Sequence, residues 1–116
     1  MKREIAERRG RRGEGWAALW LRLHRWRVVA RRVKTPRGEI DLVVRRGRLV
    51  AFVEVKWRAL GEELDTAIDE YRLRRVAAAV EAVSHRYAGP DDTIRIDVLL
   101  LAPGRWPRHI VNAWQP

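Results

Sequence analysis

From Gly13 onward the apolar positions Trp16, Leu19, Trp20 and Leu23 recur every three or four residues. That spacing makes one helical stripe and predicts a first helix running to about His24. The strongly charged residues 1–12 ahead of it read as a frayed, flexible basic segment into which some helix can extend. Trp26–Val33 then reads as a strand, with Val28, Val29 and Val33 as strand formers. Thr35-Pro36-Arg37-Gly38 is a turn signal. Glu39–Val44 and Leu49–Trp57 are the second and third strands, and the short basic turn Arg45-Arg46-Gly47-Arg48 makes them a hairpin. Residues 59–63 read as a loop, followed by a long helix from about Leu64 to Tyr87. Its core face is expected at Leu64, Ile68, Tyr71, Val76, Val80 and Val83. Glu62, Glu63, Asp65, Asp69 and Glu70 gather at its start and Arg72, Arg74, Arg75 and Arg86 further on, an order that complements the helix dipole. Gly89-Pro90 ends it. Ile94–Leu101 is a fourth strand, Pro103-Gly104 a turn, and His109–Trp114 a short last strand. The order α-β-β-β-α-β-β predicts an α/β domain with a mixed sheet flanked by helices.

Length and composition narrow the class. The chain has 116 residues, the size of one domain, and its apolar fraction of 47% is that of a globular protein. A single domain over residues 1–116 is expected. The absence of cysteine excludes a disulfide scaffold, a thiolate zinc site and a cysteine nucleophile. No apolar run approaches the roughly 20 residues of a membrane helix, and the opening MKREIAERRGRRGEG lacks the apolar stretch of a signal peptide. A cytoplasmic protein that does not enter membranes is the expectation.

Charge adds a partner class. The net charge is +10, and it is uneven: residues 1–60 hold 18 basic and 6 acidic side chains, whereas residues 61–116 hold 7 and 9. A basic half on a folded domain points to a polyanion, most often nucleic acid. Of the 25 cations 22 are arginine, a bias that GC-rich codons can produce without explaining the asymmetry. Composition alone leaves a ribosome or an anionic membrane surface open as alternatives.

Three charges inside the strands carry the chemistry. Asp41 interrupts Ile40-Asp41-Leu42-Val43-Val44, and Glu54 and Lys56 interrupt Val50-Ala51-Phe52-Val53-Glu54-Val55-Lys56-Trp57. Strands apolar on both faces are central and covered, and an ionised carboxylate there is costly unless paired or bound to a metal. Alternation puts Glu54 and Lys56 on one face, and Glu39 and Asp41 likewise. Across the hairpin, Asp41 and Glu54 can converge. Such oxygen ligands suit Mg²⁺ or Mn²⁺, and a neighbouring lysine can position water or stabilise a developing anion. The competing account is a buried ion pair of Lys56 with Glu54 or Asp41, with Glu39 merely exposed.

Asp41, twelve intervening residues and Glu54-Val55-Lys56 resemble the PD-(D/E)xK motif of restriction-endonuclease-like nucleases. The longer segments Gly38-Glu39-Ile40-Asp41-Leu42-Val43 and Phe52-Val53-Glu54-Val55-Lys56-Trp57-Arg58 are similar to the signature of the YraN-like family, small bacterial proteins with a predicted nuclease fold. Gly13-Glu14 before the first helix and Arg95-Ile96-Asp97-Val98 also resemble that family, over roughly residues 13–101. The resemblance implies a restriction-endonuclease-like core in which Asp41 and Glu54 bind the metal and Lys56 is the catalytic lysine. It implies that Glu14 can complete the metal site and that Glu39 can line it. It also matches Arg72 and Leu73 to a Lys-Gln pair facing the site. Arg72 keeps the charge, and Leu73 departs from the pattern by losing an amide, which weighs against activity.

The remaining candidates are weaker. His24, His85 and His109 show no metal-ligand spacing and read as surface or capping residues. Trp16 and Trp20 read as core rather than as base-stacking platforms, and Trp106 and Trp114 fit either role. The sequence therefore reads as a nucleic-acid-binding protein, a Mg²⁺- or Mn²⁺-dependent endonuclease on DNA. Arg31, Arg32, Arg45, Arg46, Arg48 and Arg58 are its candidate phosphate contacts. Two alternatives stand beside it: an inactive DNA- or RNA-binding module on the same fold, and a structural protein with a buried ion network. Nothing in the pattern decides an oligomeric state.

Overall fold

A computed structural model describes the backbone of residues 2–57 and 70–114, with side chains from Gly13 onward in those segments. The chain is α/β: helix α1 (Lys2–Leu23), strands β1 (Arg27–Thr35), β2 (Gly38–Arg46) and β3 (Leu49–Trp57), helix α2 (Glu70–Val83), then β4 (Thr93–Leu101) and β5 (Arg108–Ile110). The strands form one mixed sheet in the order β1-β2-β3-β4-β5. Only β3 and β4 run parallel; the other neighbours are antiparallel.

Each face of the sheet carries one core. On one side Ala17, Ala18 and Leu21 of α1 pack against Leu42, Val44, Ala51, Val53, Leu99 and Leu101. On the other, Leu73, Val76, Ala79, Val80 and Val83 of α2 pack against Val43, Val50, Phe52, Ile96, Val98 and Leu100. Helices on both faces explain why β3 and β4 read as nearly continuous apolar runs rather than alternating ones. The β1–β2 turn is fixed locally: the Thr35 hydroxyl accepts from the Arg37 and Gly38 amides at 3.1 and 3.0 Å. Gly38 has φ +156°, and a Cβ there would meet the Arg75 carbonyl oxygen of α2 at 3.4 Å, so glycine lets β2 begin directly beneath that helix.

Several boundaries shift from the sequence reading. Helix α1 extends back to Lys2, through the segment expected to fray. Strand β1 runs to Thr35, β2 gains both ends of its flanking turns, and β5 is shorter than His109–Trp114. The α2 core face is corrected at Tyr71, which is exposed, while Leu73 is buried. The phase of the stripe is set by Leu73, Val76, Val80 and Val83 at steps of three and four, and Tyr71 falls on the opposite side. Leu64 and Ile68 lie outside the described residues.

Candidate functional site

The antiparallel ladder of β2 and β3 runs from Arg46↔Leu49 to Leu42↔Val53 and stops there. The next residues in register are Asp41 and Glu54, which therefore face each other where the strands part. Beyond that point the Asp41 carboxylate takes over from the backbone: its Oδ2 accepts the Val55 amide at 2.8 Å. Alternation puts Glu54 on the α2 face with Val50 and Phe52, and it is 5% exposed. Arg72, on α2 above it, donates from Nε to Glu54 Oε1 at 2.5 Å. Lys56 lies half-buried on β3, two residues beyond Glu54.

The electrostatics follow from that placement. Burial, and then the charge and hydrogen bond of the facing Glu54 carboxylate, push the Asp41 carboxyl up to about 8, with Glu14 adding to the shift and the Val55 amide opposing it. Two acids in one covered notch cannot both ionise cheaply, so one retains a proton unless a cation intervenes. Arg72 supplies part of that cation in the protein as it stands.

Glu14 reaches the notch from α1. It is bound by Arg32 of β1, Nε to Oε2 at 2.5 Å. Arg32 lies between Arg31 and Val33, whose partners are Leu42 and Ile40, so it stands opposite Asp41. Its φ of +49° is unusual for a non-glycine residue in a strand and belongs to the strained conformations that collect at functional sites. The hydrogen bond from Arg32 to Glu14 raises the Arg32 pKa above its ordinary value. Glu39 is exposed and pairs in register with Lys34 at the strand's start. Thus Arg32, Asp41 and Glu54 form a row across three strands, flanked by Glu14 on the α1 side and Arg72 on the α2 side. Among the described residues no three acidic or histidine side chains converge as a ready metal cage; the acid pair is Asp41 and Glu54.

Leu73 packs in the core beneath α2, on the face of the sheet that also carries Glu54, and offers no hydrogen bond there. The candidate phosphate contacts divide. Arg45 donates to Asp92 at 2.8 and 3.3 Å and to the Tyr87 carbonyl at 2.9 Å, tying the β2–β3 hairpin to the segment before β4. Arg46 lies 4.2 Å over the Trp26 ring and donates to the His24 carbonyl. Arg31 and Arg48 are exposed, and Arg58 lies outside the described residues.

A second charged cluster escaped the sequence reading. Asp97 of β4 is fully buried and accepts from Arg95 Nε and Nη2 at 2.8 and 2.9 Å and from the Asn112 amide at 2.9 Å, and it lies 2.7 Å from His109 Nε2. Burial works to raise its pKa, but His109, Arg95 and the Asn112 amide outweigh that and hold it below the usual carboxylate range. The rule that singled out Asp41, a charge inside an apolar strand, applies equally to Asp97 and would have found it. Its partners fasten β5 and the following turn to β4. His24 caps α1 as expected, with Nδ1 2.7 Å from the Trp20 carbonyl. Trp20 packs partly against the α1 core, whereas Trp16 is exposed, a correction to its expected burial. Trp114 packs against the α2 core, and Trp106 is 84% exposed. Among the described residues no helix is long and apolar enough to cross a membrane.

Residues 13–101 match the uncharacterised protein family UPF0102. That span contains Glu14, Arg32, Asp41, Glu54, Lys56 and Arg72. The chain is similar over its whole length to a UPF0102 protein of Erythrobacter litoralis, at 70% identity and with all of both chains covered. A UPF0102 protein of Sphingopyxis alaskensis is 64% identical with the same complete coverage. One from Rhizorhabdus wittichii is 60% identical over 97% of this chain and 96% of its own. With the notch inside the matched span and identity sustained from end to end, the chain belongs to the UPF0102 family, the YraN-like group that the segments around Asp41 and Glu54 suggest.

Proposed function

We propose that this protein is a metal-dependent nuclease of the restriction-endonuclease-like, PD-(D/E)xK kind, hydrolysing phosphodiester bonds of DNA. The observation that carries this reading is the pairing of Asp41 and Glu54 in a covered notch where β2 and β3 part, with Lys56 two residues along the same strand. The donor set fits Mg²⁺ or Mn²⁺, which need only one or two carboxylates from a protein and take their remaining ligands from water and substrate phosphate. Asp41 and Glu54 would hold the ion, and Glu14 stands close enough electrostatically to contribute. When bound, such an ion lowers the pKa of its water and stabilises charge on a phosphoryl oxygen.

The chain's own residues then have separable tasks. Lys56 presents an ammonium to the attacking water or the anionic phosphate. Arg72 lies over Glu54, where it can turn from the carboxylate to the substrate. The exposed Arg31 and Arg48 supply phosphate contacts that position the strand without reading its sequence. One observation favours a competing reading: the Arg72–Glu54 pair is what a purely structural ion network would contain.

Lys56→Met separates the two. It keeps most of the aliphatic stem and removes the charge. On the nuclease reading it leaves Mn²⁺ binding nearly intact, weakens DNA binding modestly and abolishes cleavage in a screen of linear and branched substrates with Mg²⁺ or Mn²⁺. On the ion-network reading it strands a buried carboxylate at a cost of about 3–5 kcal/mol. That loss of stability, with no wild-type cleavage of any substrate, would reject the nuclease.

A further inference from the structure

We infer that Arg32 receives a substrate phosphate at the notch, and that Glu14 is a positioning residue that holds its guanidinium ready. This role rests on the nucleic-acid partner proposed above and names the group that offsets the notch's own negative charge.

The strands are built irregularly at this point. Ala30 and Val33 both pack against the α2 core, as do their register partners Val43 and Ile40. In a regular strand residues an odd number apart point to opposite faces, so each strand breaks its alternation between them. In β2 the break is at Asp41, between Ile40 on the α2 side and Leu42 on the α1 side. In β1 it is at Arg32, with φ +49°. Glycine or asparagine would hold that angle at less cost. Among the described residues, the other non-glycine positions with positive φ, Arg25 and Asn112, lie outside the strands. An arginine kept inside a strand at such a position is kept for its side chain. Released from the alternation, that side chain reaches α1, where Nε donates to Glu14 Oε2 at 2.5 Å.

That bond uses one edge of the guanidinium. Among the described residues Nη1 and Nη2 of Arg32 donate to nothing, and the side chain is 38% exposed. The planar fork they form matches the two non-bridging oxygens of a phosphodiester. Glu14 fixes the guanidinium in advance, which spares the ordering that a surface arginine undergoes on meeting a phosphate. The site needs such a group. The charge of Glu14 is felt at Asp41, and that of Asp41 at Arg32, so Glu14, Asp41 and Glu54 together present an incoming phosphate with three carboxyl groups, and like charges repel. Arg72 is already engaged with Glu54 and Lys56 is half-buried, whereas Arg32 turns an open cationic edge outward beside the acid pair.

The test uses the whole chain in chelator and measures its affinity for a fluorescein-labelled 20-base-pair duplex at a series of salt concentrations, beside a melting curve for each variant. Arg32→Gln should weaken binding by about 10-fold and lower the slope of log affinity against log salt by about 0.9. Arg32→Gly suits the backbone angle and carries the same expectation, so it decides the matter if the glutamine variant melts early. Arg86 is exposed at the hairpin end of the sheet, next to the Tyr87 carbonyl that Arg45 binds. Arg86→Gln removes an equal charge there and should cost less than about threefold, because charges beyond a Debye length are screened. Glu14 gives the sharper sign. Removing an acid from a polyanion's site ordinarily tightens binding. Glu14→Ala should instead weaken it several-fold, because the guanidinium is no longer held, while Glu14→Gln keeps an acceptor oxygen and should bind at least as well as the wild type. A Glu14→Ala variant that binds as tightly as the wild type or more so would reduce the pair to a structural contact. Arg32 variants that bind no more weakly than Arg86→Gln would take Arg32 away from the phosphate. Either result overturns the inference and leaves the nuclease standing. Failure of the wild type to bind the duplex at any salt would instead remove the nucleic-acid reading, and the role of Arg32 with it.

Discussion

Replacing Asp41 by asparagine should stabilise the metal-free protein, and increasingly so as the pH rises. In the folded chain burial and the facing Glu54 push the Asp41 carboxyl from 3.8 to about 8; in the unfolded chain it returns to the ordinary value. Between those limits the folded state binds one proton that the unfolded state does not. Stability therefore falls as pH rises through the window, by up to about 1.4 kcal/mol per pH unit. From pH 5 to pH 8 that amounts to roughly 3–4 kcal/mol, a large part of the stability of a domain this size. The asparagine variant has no such proton to lose. Its amide oxygen can still accept the Val55 amide, and its NH₂ can donate to Glu54. The two proteins should thus be nearly equal in stability below about pH 4, where Asp41 is protonated in both states, and the lead of Asp41→Asn should widen by roughly 3–4 kcal/mol between pH 5 and pH 8. Urea denaturation in chelator across that range, at constant ionic strength, measures the gap. Mg²⁺ should then recover stability in the wild type alone. Parallel stability curves, or a variant less stable throughout, would refute the reasoning, because they would mean that Asp41 is ionised and held by a cation such as Lys56.

Arg72→Ala removes the cation that competes for Glu54; Mn²⁺ affinity measured by calorimetry should rise several-fold while metal-free stability falls. Asp97→Ala leaves Arg95 and His109 without their shared acceptor, and should cost about 3–5 kcal/mol in urea denaturation with or without metal. Because Asp97 is held below its usual range, its contribution is full above the unfolded value near 4 and is lost as the pH falls through the folded one, so the Asp97→Ala gap should narrow in acid. Affinity for DNA should drop about 10- to 150-fold between 50 and 200 mM salt, as expected when two to four phosphates are neutralised and release their counterions; fluorescence anisotropy at a series of salt concentrations gives the slope.

How far the sequence foretold these features depends on the range of the interaction involved. The strand pattern was readable because both sheet faces are covered and the strands are correspondingly apolar, and Leu49–Trp57 is the clearest case. The approach of Asp41 to Glu54 was readable because a short hairpin with a known turn fixes register within a few residues. What failed was phase and partnership. Tyr71 and Leu73 are both apolar enough to head the α2 stripe, and only packing against Phe52 and Val98 chooses between them. The pairings of Arg32 with Glu14, Arg45 with Asp92 and Arg72 with Glu54 join distant segments, and a sequence with 25 cations offers each acid too many candidates. Asp97 was overlooked although the burial rule applied to it, because its cation is a near neighbour on the same strand and its other partners come from the last turn.

The single parallel pairing in the sheet has a kinetic consequence. β1, β2 and β3 meet through two short turns, whereas β3 can meet β4 only after the chain has travelled through α2, with partners such as Arg45 and Asp92 separated by 47 residues. Closing the longer loop costs more entropy before any contact compensates for it. The three-stranded meander should therefore be the part already formed at the folding barrier, and the docking of β4 should follow it. Asp41 and Glu54 are then forced together early, before Arg72 has arrived above them. Their repulsion is felt on the way up the barrier, and relieving it with Asp41→Asn should quicken folding more than it slows unfolding. Asp92→Ala, on the late side, should leave the folding rate nearly unchanged and speed unfolding, so the two substitutions would move opposite arms of the chevron.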